Sequence, residues 1–305
     1  MLKKRYFTAN DYFKKLFGEK VHRVSIDAGF TCPNRDGKIS KGGCIYCNET
    51  GSRATYVNPA SSIEEQLENG IQHIRKTKNV NKFIAYFQPY TNTYASLDKL
   101  KEIYEPALKH PYVVGISIGT RPDCIDDEKL DYLDFIGEKK LVIIEYGVQT
   151  LNNLSLTFIN RGHDAKTSIE TIEKTKKRKN LNIVVHLIFL LPFEDVKQAL
   201  LNMNTLVKLG INGVKFHHLY VEKNTKLEQL YREGEIKILD REEYVEILAN
   251  AVSLLPENVV IHRLFGDCEE EKLVAPIWTL EKTKNLNFFN QFLEEKNIWQ
   301  GKNLT

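Results

Sequence analysis

Short, nearly continuous apolar runs recur along the chain, separated by longer segments whose apolar residues repeat every three or four positions. The runs are Arg23–Ala28, Lys82–Gln88, Val113–Gly119, Leu141–Gln149, Ile183–Leu191, Val214–Val221 and Val259–Phe265. A strand with one wet face would alternate. Cores such as FIAYF, VVGISI and LVIIEYGV do not, and so they predict strands covered on both faces, as in a parallel sheet. The segments between them carry helix-start signals. Ser62 and Glu65 form a capping box opening a helix to about Lys76. Ser96 can cap LDKLKEIYEPALK, and Asp126 or Asp127 can cap EKLDYLDFIGEK. Ala165–Lys179, Glu194–Leu209 and Arg241–Leu255 complete the amphipathic set, with Gly210 as a stop. Strand–helix alternation at roughly 30–40 residues per unit predicts an α/β chain of six βα units plus a seventh strand, curling into a partial (β/α)6 TIM-like barrel. The barrel is expected over 23–268. An extension of residues 1–22 precedes it, and one of 269–305, with a helix around Thr283–Lys296, follows. Parallel α/β folds collect ligands at the C-terminal ends of their strands, and most of the unusual polar residues fall there.

Composition narrows the class. The chain has 305 residues, 42% hydrophobic and 27% charged, enough to bury a sizeable core. No run of about 18 apolar residues appears, so no membrane span is expected. The first residues lack an apolar signal region, so the expectation is a cytoplasmic protein. The net charge of +3 is uninformative, but its distribution is uneven. Lys3, Lys4, Arg5, Lys14, Lys15, Lys20 and Arg23 face only Asp11 and Glu19 over residues 1–23, interleaved with Tyr6, Phe7, Tyr12, Phe13 and Phe17. Such a segment could neutralise phosphates and stack on bases. The plainer alternative, favoured here, is an amphipathic helix laying its aromatics on the barrel. The run KTKKRK at 174–179 reads as a solvated helix end.

Five cysteines, an odd number in a cytoplasmic context, argue against disulfides. Cys32, Cys44 and Cys47 follow the first strand in DAGFTCPNRDGKISKGGCIYCN, a C-x11-C-x2-C spacing. The C-x2-C pair lets two thiolates converge on one metal centre, and Gly37, Gly42 and Gly43 let the loop wrap closely. Structural zinc wants four closed ligands. Asn34 and Asn48 are poor ligands and His22 lies before the strand, so a closed four-thiolate site would need Cys124 or Cys268. A four-iron cluster on three thiolates leaves one iron open to chelate a cofactor.

With these residues the sequence resembles the YhcC/YtqA-type radical S-adenosylmethionine (SAM) family, akin to the radical domain of the Elongator catalytic subunit. The resemblance spans nearly the whole chain through VSIDAGFTCPNRDGKISKGGCIYCN, YFQPYTNTYA, SIGTRPDCI, EYGVQTLNN with FINRGH, VVHLIFLLP, KFHHLYVEKNTKLEQLYREGE, HRLFGD, LVAPIW and NIWQG. It implies a [4Fe-4S] cluster on Cys32, Cys44 and Cys47, with SAM as the second cofactor. Tyr46 would lie by the adenine, and the Gln88–Tyr94 segment, including Gln88 and Asn92, by the methionyl amino group. Gln149 and Arg161 would bind the ribose and the methionyl carboxylate, with His186 toward the ribose. The implied chemistry begins with an external donor such as flavodoxin or ferredoxin. One electron then cleaves SAM to methionine and a 5′-deoxyadenosyl radical, which abstracts hydrogen from the substrate.

Tyr90, Tyr94, Arg121, Asp123, Cys124, His217, His218 and Tyr220 are candidates for the substrate side, Cys124 as a hydrogen donor. Against this, Arg121–Asp123 reads equally as an ion pair, and His217 or His218 as a satisfied core histidine. The sequence departs from the family pattern at Gly119, where the Elongator-like motif carries glutamate. It departs again at Leu190–Leu191–Pro192–Phe193–Glu194, where relatives read Gly-Leu-Pro-Gly-Glu; bulky Leu190 and Phe193 are expected to reshape the adenine side. The Elongator acetyltransferase domain is not matched, so acetyl-CoA chemistry is not implied. The resemblance points to transfer RNA as partner, at the 5-substituent of the wobble uridine, converting carboxymethylaminomethyl to aminomethyl, with the basic aromatic N-terminus gripping the RNA. The alternatives are a radical enzyme on a small molecule or peptide, and an iron–sulfur electron-transfer or structural metal protein that does not cleave SAM.

Overall fold

The computed structural model describes residues 4–48 and 57–304; Lys3 of the basic segment lies outside them. Helix α1 (Ala9–Phe17) precedes β1 (Val21–Ile26), after which come α2 (Ile63–Thr77), β2 (Lys82–Phe87), α3 (Leu97–Lys109), β3 (Val113–Thr120), α4 (Asp127–Gly137) and β4 (Leu141–Gln149). The chain continues through α5 (Asn153–Phe158), α6 (Ala165–Lys176), β5 (Leu181–Phe189), α7 (Val196–Lys208), β6 (Gly213–His218), β7 (Val221–Glu222), α8 (Lys226–Arg232), α9 (Arg241–Ser253), β8 (Val260–Arg263), β9 (Leu273–Ala275) and α10 (Lys282–Glu295). Seven parallel strands pair in the order β1-β2-β3-β4-β5-β6-β8, the open α/β half-barrel expected, with the seventh strand included. Two short antiparallel strands, β7 and β9, form a separate ribbon.

Capping chemistry starts the helices where the sequence places them. Ser62 and Glu65 close a reciprocal capping box on α2, and Asp126 and Asp195 accept from Lys129 and Gln198 amides. Ser96 is the N-cap of α3 but makes no side-chain cap bond. Two strands begin two residues earlier than their sequence patterns suggest. β1 ends at Ile26 because Asp27 turns the chain, its carboxylate accepting from Gly29 N at 2.9 Å. β5 ends at Phe189 because Leu190 adopts a left-handed φ of 52°.

Inside the curved sheet, side chains stack in layers. At the N-terminal ends of the strands, Val21, Ile84, Ile143 and Val184 form an apolar layer closed by Phe13 of α1, which is 3% exposed. Tyr12 donates to Asn182 Oδ1 at 3.2 Å, and Lys82 of β2 donates to Phe17 O at 3.0 Å. The N-terminal aromatics therefore plug the barrel end opposite the cysteine loop. This is the packing of aromatics on the barrel that the plainer reading expects. Residues just before α1 run along β8, with Ile261 N donating to Phe7 O at 2.9 Å, and Gln300 of the NIWQG motif accepts from Phe7 N at 2.8 Å. This covers an otherwise open sheet edge.

Removing the plug tests its contribution. Phe13→Ala leaves a cavity against four strands and is expected to cost about 3–5 kcal/mol in urea denaturation; a loss below about 1 kcal/mol would mean that the layer closes without it.

Candidate cofactor and active site

Above the apolar layer lies a charged one centred on Glu145 in β4, whose side chain is fully buried. Its carboxylate accepts from Ser117 Oγ of β3 at 2.7 Å, Tyr86 OH of β2 at 2.9 Å and His186 Nε2 of β5 at 3.0 Å. It also pairs with Lys215 of β6, and lies 3.4 Å from Arg23 Nη2 of β1. Burial alone would raise its pKa, but Lys215 and Arg23 hold Glu145 well below the usual carboxylate range. Lys215 also donates to Tyr86 OH at 2.8 Å, and Arg23 Nη2 donates to His262 Nδ1 at 2.6 Å.

The layer above is open. Gly119 and Gly147, where side chains would fill the barrel, leave a cavity of about 860 Å³ at the C-terminal ends of the strands. A Cβ on Gly147 would lie 2.6 Å from Arg161 Nη2 and 3.0 Å from Gln149 Nε2, so only glycine lets both side chains enter. Register shifts between Tyr146 and Gln149, and a φ of 69° at Gln149, turn that side chain into the cavity. Thr150, the next residue, donates to Glu194, which also accepts from Asn202 Nδ2 at 3.4 Å. The two strand ends are thereby tied together. Burial pushes Glu194 up to about 7.

Cys32, Cys44 and Cys47 line one wall of this cavity as free thiols. Their loop is pinned by the segment after α5. Ile45 N donates to Ile159 O at 3.1 Å, and Asn160 Nδ2 to Gly43 O at 2.8 Å. A Cβ on Gly162, whose φ is 76°, would meet Asn34 Oδ1 at 2.5 Å. Two guanidiniums address the sulfurs, Arg35 Nη1 at 3.4 Å from Cys47 Sγ and Arg161 Nη1 at 3.5 Å from Cys44 Sγ. Burial and then Cys44 push the Cys47 thiol up to about 11, so loading a metal here must displace its proton. Three thiols with cationic donors, facing a cleared space, are a donor set that fits an open-cornered iron–sulfur cluster. Among the described residues no three His, Cys, Asp or Glu side chains gather closely enough to hold a single metal ion.

Of the residues singled out in the sequence, Tyr46, Gln88, Tyr90, Arg121, Gln149, Arg161, His186, His217 and Tyr220 also line the cavity. Tyr46 OH is buried without a partner among the described residues. Tyr90 lies under the Arg35 guanidinium, 5.6 Å from its ring centre. Arg161 sits between Gly147 O and Cys44 Sγ. Others are placed differently. Asn92 is fully buried outside the cavity wall, donating to Pro89 O and Gly119 O, both at 2.9 Å; it closes the β2–α3 turn rather than facing the cofactor space. Cys124 is also off the wall, 3.7 Å from Asp123 Oδ1, with burial pushing its thiol up to about 12. Arg121 borders the cavity, but its guanidinium is forked onto Asp123 at 2.9 and 2.7 Å and onto Arg161 O at 2.6 Å, the ion pair of the plainer reading. His218 is satisfied, bonding Thr279 Oγ1 at 2.9 Å and accepting from Gly266 N at 3.2 Å. Leu190 and Phe193 do not reach the cavity. Phe193 is 62% exposed and meets Phe158 edge-on at 5.6 Å, so the expected narrowing of the adenine side does not occur there.

Glu145, Lys215, Tyr86, Ser117, Arg35 and Arg263 were not singled out from the sequence. A charged residue inside an otherwise apolar strand, as at Glu145 and Lys215, was the available signal. At the rim, Glu222, Asp267, Cys268, Glu269, Glu270 and Glu271 line the mouth, with Cys268 Sγ 3.2 Å from Glu222 Oε1.

Comparison with known proteins now assigns the class. Residues 32–206 match the model of the radical SAM superfamily, and 211–295 match the radical SAM C-terminal domain. The chain is 34% identical over 299 residues to the uncharacterized protein YtqA of Bacillus subtilis, covering 98% of this chain and 92% of that one. It is 28% identical over 176 residues to a tRNA uridine(34) acetyltransferase of Methanocaldococcus jannaschii, covering 57% of this chain and 31% of that one. The solved structure of archaeal Methanocaldococcus infernus Elp3 superposes with a TM-score of 0.68 at 17% identity, over 92% of this chain and 64% of that one, and so shares the fold. The chain belongs to the radical SAM superfamily, in the family of YtqA and YhcC. That membership implies a [4Fe-4S] cluster and SAM. No helix among the described residues is long and apolar enough to cross a membrane.

Two substitutions probe the site's electrostatics. Glu145→Gln strands Arg23 and Lys215 and is expected to cost about 3–5 kcal/mol in urea denaturation, partly restored by adding Lys215→Met; an unchanged midpoint in the single variant would refute the layer's role. Glu194 has a folded pKa above its unfolded one. Its stabilising contribution is therefore complete below about pH 4 and is lost as pH rises through about 7. Relative to wild type, Glu194→Gln should gain on the order of 2–3 kcal/mol between pH 4.5 and 8 in matched denaturation curves; parallel curves would contradict the burial argument.

Proposed function

We propose that Cys32, Cys44 and Cys47 hold the four-iron cluster, that SAM lies between them and the Gly119–Gly147 clearing, and that the radical acts on the 5-substituent of a tRNA wobble uridine, converting carboxymethylaminomethyl to aminomethyl. The observation that carries the radical chemistry is the convergence of three free thiols, Tyr46, Gln149 and Arg161 on one cavity. Bound there, the cluster supplies the one electron that splits SAM into methionine and a 5′-deoxyadenosyl radical. The chain's own groups orient and enclose. Arg161, fixed by Gly147 O, would hold the carboxylate of the cofactor, and Tyr46, whose hydroxyl has no partner among the described residues, would lie beside its adenine. His186 is held neutral at about 4, chiefly by burial, so it serves as a hydrogen-bonding wall and not as a cation. The wobble-uridine reading is supported by the likeness to the tRNA uridine(34) acetyltransferase, which spans more than half of this chain. An external one-electron donor, flavodoxin or ferredoxin in class, completes the scheme.

A second reading, a small-molecule or peptide substrate, is favoured by the acidic mouth. Glu222, Asp267, Glu269, Glu270 and Glu271 outnumber Lys272 and Lys282 among the described rim residues, a field that repels a polyanion.

The test is anaerobic. Reconstituted protein given SAM and dithionite is expected to release 5′-deoxyadenosine, and a Cys32→Ala, Cys44→Ala, Cys47→Ala protein is expected to release none. Nucleoside analysis of tRNA from a deletion strain should show carboxymethylaminomethyluridine accumulating. An unchanged wobble profile alongside active SAM cleavage would transfer the assignment to the small-molecule reading, and no cleavage by a fully loaded protein would end both.

A further inference from the structure

The innermost wall of the cavity carries a cation with no balancing partner among the described residues. Arg263 ends β8, and a register shift between Val214 and Lys215 brings it beside Lys215. The same irregularity turns consecutive residues inward: His262 onto Arg23 and Arg263 onto the cavity. Arg263 makes no hydrogen bond and no ion pair among the described residues, and it is only partly exposed. Among the described residues the one carboxylate at that depth, Glu145, is already saturated by Ser117, Tyr86, His186, Lys215 and Arg23, more partners than its lone pairs can each serve singly. Two guanidiniums, Arg23 and Arg263, face this single carboxylate, so positive groups outnumber it on the wall. Next to it, His217 of β6 has a buried Nε2 with no partner among the described residues, and burial, then the Arg263 charge, holds that imidazole neutral. An unpaired guanidinium and an unpaired imidazole on one half-buried wall are costly unless something pairs with them.

We propose that Arg263 and His217, flanked by Lys215, form a subsite for a carboxylate of the substrate, which reaches the barrel's charged layer past the cofactor space. The subsite is distinct from the cofactor's own carboxylate contact, which the thiol side of the cavity supplies through Arg161. The planar guanidinium takes both oxygens in a fork, and neutral His217 offers an N–H to one of them. The proposal rests on the radical SAM reading of the cavity. It does not require that the substrate be RNA; the carboxymethylaminomethyl group is one carboxylate that would satisfy it.

The test uses cluster-loaded protein with SAM bound, and malonate as the probe. Calorimetric titration should show saturable malonate binding to wild type, weakened at least tenfold in Arg263→Gln and partly kept in Arg263→Lys, with SAM affinity equal in all three. Because Arg263 bonds to no described residue, both variants should fold. Malonate should raise the melting temperature of the wild type and leave that of Arg263→Gln unmoved. No saturable binding, binding indifferent to Arg263→Gln, or inorganic phosphate bound tenfold more tightly than malonate would overturn the carboxylate assignment. A loss of SAM affinity in Arg263→Gln would overturn it too, by making the anion the cofactor's own. None of these results depends on whether tRNA is modified.

Discussion

The interaction on which the rest of the molecule depends is the one at Glu145. A half-barrel has a problem that a closed barrel lacks: its interior is reachable by water on one side, yet its strands are apolar enough to collapse inward. A carboxylate tied to β1, β2, β3, β5 and β6 at once sets the spacing of the strands, because five donors can converge on it only at one curvature. Buried ion pairs are poor sources of net stability. What this one supplies is geometry: below it the barrel is filled and plugged by Phe13, and above it the barrel stays open.

Openness above the charged layer is achieved by subtraction and by pinning. Gly119 and Gly147 withhold side chains where neighbouring layers supply them, and the space they vacate is entered by Gln149 and Arg161 from the strand-end loops. Arg161 joins three parts of the site, since its side chain holds Gly147 O and approaches Cys44 Sγ while its carbonyl accepts from Arg121. The FINRGH segment therefore works mechanically as well as chemically. Ile159 and Asn160 anchor the cysteine loop through backbone atoms, and Gly162 lets Asn34 pack against them. A loop with three thiols and several glycines would otherwise have little to fix it.

How far the sequence could foresee this differs by element. β4 was legible to the residue, because its apolar run is bounded by lysines on one side and by Gln149 on the other. The cysteine loop was legible as a candidate metal site from its spacing, while the four-iron cluster followed from the family resemblance. β1 and β5 were shifted because the signals that end them, an aspartate turn at Asp27 and a left-handed Leu190, are backbone events that hydrophobic pattern does not register. Asn92 and Cys124 were drawn toward the cavity by position just past strand ends, but direction in a turn follows local hydrogen bonding and has no period to read. Arg263 was hidden for a related reason: strict alternation would send it opposite to His262, and only the irregular pairing with β6 puts both inside. By contrast, Glu145 and Lys215 were available to the eye, as charges in the middle of strands otherwise buried on both faces.

The arrangement of charge along the cavity bears on what can enter it. The inner wall is positive through Arg263 and the Arg23–Lys215 side of the charged layer, while the described rim is negative through Glu222 and Asp267–Glu271. A long polyanion lying across the mouth meets the wrong sign first, whereas a short arm bearing both an amine and a terminal carboxylate carries no net charge past the rim and brings its carboxylate to a positive inner wall. A zwitterionic arm of this kind is compatible with a modified base flipped into the cavity while the rest of its nucleic acid is held elsewhere, and equally with a free amino acid derivative. The charge pattern therefore constrains the reacting end of the substrate more tightly than it constrains the molecule to which that end is attached.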